Sequence, residues 1–251
     1  MRKDIREQLL TMKEMEYQKF SSALIPGVKQ MLGIRLPELR KLAKQIVKTD
    51  WKEAIQEEDE YFEERMLHGM VLGYVKADWE EIVPYITEFI ALVDNWSVCD
   101  SVFMGMTVFQ QDREKTWEYI QSYVQSDQEF EIRVALIIMM QHLLKCDEKG
   151  KKRSRLRVVT MQDLAEGNEK KGLYLERIFT TLNEVDTRTY YAHMAAAWLL
   201  AEAFCCFPYY TYKFLQENNL ADRTYNKAIQ KIVESHIPTE EVKIVLRGMK
   251  R

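Results

Sequence analysis

Apolar residues recur at positions i, i+3, i+4 and i+7 through most of the chain, the spacing of a helix with one buried face. Ile5, Leu9, Met12, Tyr17 and Phe20 follow this spacing first, ahead of the Pro26-Gly27 turn. A second helix opens at Leu36-Pro37, with Leu39, Leu42 and Ile46 inward and Arg40, Lys41 and Lys44 outward. Proline is tolerated in a first helical turn, where its missing N–H would have no partner. Further helices are expected over 61–75, from 78 through 92, and from 96 to about 109 with Asn95 as N-cap. Others follow over 113–123, 130–144, 173–182, 188–207, 210–216, 223–235 and 240–249. The 9 glycines and 5 prolines of the 251 residues are too few for the closely spaced turns of an all-β fold. Hydrophobic residues at 47% and charged residues at 30% supply a substantial core under a solvated surface.

The links between these segments are short, and short links force antiparallel neighbours. Successive pairs recur at roughly the 40–47-residue spacing of HEAT-type repeats. A helix pair leaves one apolar face unburied, and stacking the next pair covers it. The expected fold is therefore all-α: a right-handed solenoid of antiparallel helix pairs, an α-α superhelix with a concave groove, forming a single domain over residues 1–251. One stretch, about 146–171, breaks the period and is expected as a basic, non-helical insertion. Six basic residues fall between Lys149 and Arg157, followed by a short β-prone run. Such a stretch is either a solvated loop or a loop that grips phosphates.

The formal net charge of −3 argues against indiscriminate nucleic-acid binding but leaves room for a local basic face. The four cysteines, Cys99, Cys146, Cys205 and Cys206, form no CxxC pair, and no signal-peptide apolar stretch follows Met1-Arg2-Lys3-Asp4. They read as reduced thiols of a cytoplasmic protein with no transmembrane segment. His68, His142, His193 and His236 show no metal-ligand spacing, so neither a metal nor a cofactor is expected.

Three places carry potential chemistry. Trp96 and Asp100 lie four apart in Asp94-Asn95-Trp96-Ser97-Val98-Cys99-Asp100-Ser101 and share a helix face. Spacing alone favours a core tryptophan and an aspartate paired with a neighbouring arginine; facing solvent, the same pair would set an indole beside a carboxylate. Arg133 precedes the apolar run Val134-Ala135-Leu136-Ile137-Ile138-Met139-Met140, where a guanidinium requires an anion, from protein or phosphate. Trp198 follows Ala195-Ala196-Ala197, where alanines let helices approach closely, so a core role is the plainer reading.

The run Met31-Leu32-Gly33-Ile34-Arg35-Leu36-Pro37-Glu38-Leu39-Arg40 resembles the Leu-Gly-Ile/Val-x-x-Pro-x-x-Arg segment of the AlkD-like DNA alkylation repair family. The Trp-x-x-x-Asp core around Trp96, the helix Ile132-Arg133-Val134-Ala135, the helix Met194-Ala195-Ala196-Ala197-Trp198 and the tail Asn226-Lys227-Ala228-Ile229-Gln230-Lys231-Ile232 resemble it in the same order. This resemblance implies HEAT-like repeat DNA glycosylases that hydrolyse the N-glycosidic bond of N3- and N7-alkylated purines in duplex DNA. It implies Asp100 as catalytic carboxylate, Trp96 and Trp198 as aromatic platforms, and Arg133 at the DNA backbone near the lesion. Arg35 and Arg40 would contact phosphates. Lys151, Lys152, Arg153 and Arg155 of the insertion are added as DNA-binding candidates on charge alone. Glu202, four residues after Trp198, departs from the family by standing where a basic contact is expected. The implied partner is double-stranded DNA containing alkylated bases, bound by a monomer. The alternatives are a catalytically weak nucleic-acid-binding paralogue and a HEAT-like protein-interaction scaffold.

Overall fold

The computed structural model describes residues 2–28, 30–56, 58–145, 154–167 and 170–251. Fifteen α-helices are present among them, and the one β-type contact is an isolated parallel bridge between Val159 and Pro238. The all-α class expected from the periodicity is what the chain adopts. None of the described helices is long and apolar enough to cross a membrane. The chain divides into two compact units, Met1–Gln111 and Asp112–Arg251.

The first unit contains α1 (Arg2–Thr11), α2 (Met15–Leu24), α3 (Leu36–Ile46), α4 (Trp51–Ile55), α5 (Phe62–Tyr74), α6 (Trp79–Ile90) and α7 (Trp96–Phe103). Helix α5 is buried on almost every side and packs against α3, α4, α6 and α7. Gly69 permits this, because a Cβ there would lie 2.5 Å from the Phe89 ring and 2.7 Å from Val102. At the head of α5 stand two buried carboxylates with separate tasks. Glu63 accepts the backbone N–H groups of Leu32 (2.8 Å), Gly33 (2.7 Å) and Ile34 (3.2 Å), three successive donors that no helix satisfies. Glu64 accepts the N–H groups of Glu60 and Tyr61 and a bidentate pair of bonds from Arg6 on α1. Gly33 itself has φ +83°, and a Cβ on it would meet the backbone of Gln18 and Glu14 at 2.5 Å. Glycine is therefore required there twice over, by conformation and by space.

The second unit contains α8 (Arg113–Val124), α9 (Glu129–Ile138), α10 (Met161–Glu166), α11 (Leu175–Glu184), α12 (Tyr190–Cys206), α13 (Pro208–Gln216), α14 (Asp222–Glu234) and α15 (Glu240–Gly248). Helix α12 plays the part of α5: it is buried nearly all round and packs against α9, α13 and α14. Its alanines, Ala192, Ala195, Ala196, Ala197 and Ala203, have no bulk to hold those neighbours away. Cys99, in the first unit, and Cys205 and Cys206, in the second, are buried cysteines. Burial pushes the Cys206 thiol up to about 11.

Four expected elements differ from what is observed. The first apolar run is not one helix, since α1 and α2 are separated at residues 12–14. The helix from Asn95 ends at Phe103, and a 3₁₀ turn, Thr107–Gln110, replaces its tail. The helix expected over 130–144 passes into a π-helical turn, Met139–Leu143, closed by Leu144 N–H donating to the Met139 carbonyl. The insertion expected as non-helical holds α10, where Thr160 and Asp163 cap each other reciprocally and Gly167 ends the helix at φ 54°. Residues 146–153 of that insertion lie outside the described ones.

Candidate functional site

Helix α7 begins where its sequence says it should. The Asn95 side chain accepts the Val98 N–H at 2.9 Å, a standard N-cap, and donates to Asp94 at 2.8 Å. Asp94 in turn receives Arg65 of α5 at 2.6 Å. This chain of contacts fixes the start of the helix beside an open cavity of about 330 Å³ lined by Asp59, Tyr61, Arg65, Asp94 and Asn95. Within α7, Val98, Cys99, Val102 and Phe103 are buried, whereas Trp96 and Asp100 stay half-exposed on a common face. The Trp96 indole N–H donates to the Leu24 carbonyl at the end of α2 (3.2 Å), which orients the ring by its edge.

Of the two N-terminal arginines, Arg35 is placed less favourably for phosphate than its spacing suggests. Arg35 pairs with Glu14 at 3.0 Å and lies 4.8 Å over the Tyr17 ring. Arg40 points outward from α3 and is exposed, as are Lys41 and Lys44.

In the second unit, Arg133 of α9 is 5% exposed and donates to the Tyr191 carbonyl at 3.0 Å. Its guanidinium is 5.9 Å from the Tyr191 ring, so the first turn of α12 supplies a neutral acceptor and a ring face but no anion. Trp198, on the same helix, is half-exposed rather than buried in the core. It lines an open cavity of about 410 Å³ with Arg155, Glu202, Cys205, Lys231 and His236.

Glu202 lies one turn after Trp198, is 4% exposed, and gathers three partners. It accepts the Trp198 indole N–H at 3.3 Å, a bidentate pair from Arg155, and Lys145 at 3.1 Å. Burial pushes the Glu202 carboxyl up, but Arg155 and Lys145 outweigh it and hold the group below its ordinary range. Of the insertion candidates, Arg155 is therefore engaged with this carboxylate, while Lys151, Lys152 and Arg153 lie outside the described residues.

One basic feature went unweighted in the sequence. Arg223, Lys227 and Lys231 fall at i, i+4 and i+8 and so line one face of α14. Lys231 is pushed below the usual lysine range by burial first, then by Lys227 and Arg133, despite the opposing Glu234. His193 is likewise lowered by burial and by Arg223, Lys227 and Lys231 together. Like charges gathered on one helix face repel one another, and an anion placed against them would relieve that repulsion. The i, i+4, i+8 spacing of these cations is legible in the sequence, but a single helix face of three is a weaker signal than the six basic residues between Lys149 and Arg157.

Among the described residues no group of three or more His, Cys, Asp or Glu side chains is arranged to hold a metal ion. No curated protein matches the chain. A family model does, over residues 5–232, and it spans α7, α9, α12 and all but the last two residues of α14. On that match, covering most of its length, the chain belongs to the family of DNA alkylation repair enzymes.

Proposed function

We propose that the protein is a monofunctional DNA glycosylase that hydrolyses the N-glycosidic bond of N3- and N7-alkylated purines in duplex DNA. The reading rests on one observation above others: Trp96 and Asp100 occupy the half-exposed face of α7 while its apolar residues turn to the core. A core tryptophan beside an aspartate turned to a neighbouring arginine is the simpler expectation from spacing, and the half-exposure of both side chains supports the solvent-facing reading.

Alkylation at N3 or N7 gives the purine a positive charge, which makes it a good leaving group. As the bond to the sugar lengthens, positive charge develops at the anomeric carbon, as in other glycoside cleavages. A carboxylate fixed near that carbon stabilises the charge electrostatically and can orient the attacking water. That role is assigned to Asp100. An indole face beside a cationic base adds about 0.5–2 kcal/mol of cation–π attraction, the role assigned to Trp96 and Trp198. Arg133 is assigned to the backbone near the lesion, with Arg40 as a further phosphate contact. Lys227 and Lys231 are added as phosphate contacts in place of Arg155, whose charge is spent on Glu202.

The direct test is chromatographic detection of free 3-methyladenine and 7-methylguanine after incubating the purified protein with methylated duplex. Release above the spontaneous rate is expected. Binding to an abasic duplex without release would instead identify a non-catalytic nucleic-acid binder, and neither binding nor release would identify a scaffold.

The basic face of α14 makes its own prediction. Each phosphate contact contributes about 0.9 to the slope of log affinity against log salt. The double substitution Lys227→Gln/Lys231→Gln should therefore flatten that slope by about 1–2, measured by fluorescence anisotropy on a labelled duplex. An unchanged slope would remove α14 from the interface.

A further inference from the structure

The contacts around Glu202 are more elaborate than a salt bridge needs. Arg155 reaches it from a strap that is pinned just after it. Leu156 N–H donates to the Cys205 carbonyl and Val159 N–H to the Ile237 carbonyl, each at 2.9 Å. Thr239 N–H returns a 2.9 Å bond to the Val159 carbonyl, and the Thr160–Asp163 cap then starts α10. The strap thus holds one guanidinium against a carboxylate on α12, and that carboxylate takes the N–H of an indole whose ring opens on the 410 Å³ cavity. Arg155 itself is 49% exposed on its side chain, so the core does not compel its placement.

We propose that Glu202, clamped by Arg155 and Lys145, is a positioning residue: it accepts the Trp198 indole N–H, fixes the ring plane and loads the ring face with electron density for a cationic base. An N–H donor bound to an anion is polarised toward its ring, and hydrogen-bonded chains strengthen one another in a low-dielectric setting. Cation–π attraction grows with the negative charge on the ring face. The cations on the far side of the carboxylate keep it ionised and locked in one orientation, so the indole edge has a fixed acceptor. This also accounts for the residue type. Glu202 stands where a basic contact is expected, and the strap supplies the positive charge that makes a carboxylate tolerable there. The inference rests on Trp198 serving as a platform for an alkylpurine.

The test pairs a spectroscopic readout with a kinetic one. Protein labelled with ¹⁵N-tryptophan carries five indole N–H groups, and Trp198→Phe identifies the Trp198 cross-peak by its loss. In Glu202→Gln that cross-peak should move upfield in the proton dimension while the other indole peaks hold their positions. Arg155→Gln should move it less in the same direction, and Arg155→Lys should return it toward the wild-type position. Release of 7-methylguanine by Glu202→Gln should fall roughly three- to tenfold, the loss expected for a weakened cation–π contact. Affinity for a duplex carrying an uncharged abasic analogue should not fall with it, a split that a general structural defect would not produce. If Glu202→Gln proves unstable, Arg155→Gln at its exposed position carries both measurements. An unmoved Trp198 peak, or unaltered base release by a variant whose peak has moved, would overturn the proposal. A wild type that releases no base would overturn the glycosylase reading itself, which separates the two failures.

Discussion

Replacing Asp100 with asparagine is expected to lower base release by about 10²–10³-fold, the usual cost of removing one preorganised electrostatic group from an active site. Asparagine has nearly the same size and keeps an acceptor oxygen, so the helix should be undisturbed. The side chain is half-exposed on α7, between the buried Cys99 and Val102. What the substitution removes is the full negative charge, and with it the stabilisation of an oxocarbenium-like sugar. The loss should therefore appear in single-turnover rate at saturating protein, with affinity for an abasic duplex and thermal stability close to wild type. Equal release by the two proteins would take Asp100 out of the mechanism. A loss of affinity matching the loss of rate would make it a binding group instead.

The largest stability effect is expected at Glu63→Ala. The carboxylate is 1% exposed and is bonded to three successive backbone donors at Leu32, Gly33 and Ile34. The segment that carries them is itself buried, so water cannot easily replace the lost acceptor. Each buried donor left without a partner costs about 1–3 kcal/mol, which puts the substitution on the order of 4 kcal/mol or more. In a chain of this size each kcal/mol lowers the melting temperature by about 2–4 °C, so a fall of roughly 10 °C is expected in a thermal scan. Glu63→Gln, which retains one acceptor oxygen, should cost distinctly less. A change below about 1 kcal/mol in the alanine variant would mean that the loop finds other partners.

This loop also shows where reading from sequence reaches its limit. Leu36-Pro37 and Asn95 announce helix starts by local chemistry, and α3 and α7 begin where those residues place them. The break between α1 and α2 has no such local sign. It is set by the Met31–Arg35 segment, where Gly33 presses on the backbone of Glu14 and Gln18, Gln18 donates to the Met31 carbonyl, and Arg35 pairs with Glu14. Those contacts span 13 to 21 residues, and a period of 3.6 does not register them. The π-helical turn escapes for a related reason, since one wider turn leaves the apolar pattern almost intact. At the site, the Trp96–Asp100 spacing identified a shared face, but whether that face meets solvent depends on how α7 packs against α5. The setting of Trp198 was less legible still. Its partner Glu202 is adjacent on α12, yet the groups that make a buried carboxylate stable there lie 47 residues away at Arg155 and before the insertion at Lys145.

Cleavage of the glycosidic bond at a cationic purine is the step on which the proposed function turns. It is tested most directly by a single-turnover reaction with a duplex holding one 7-methylguanine, protein in excess, quenched over time and resolved into intact strand and alkali-labile abasic strand. The predicted result is first-order conversion to the abasic strand with an equal amount of free 7-methylguanine. Recovery of the methylated strand intact, under conditions where anisotropy shows the duplex fully bound, would contradict it.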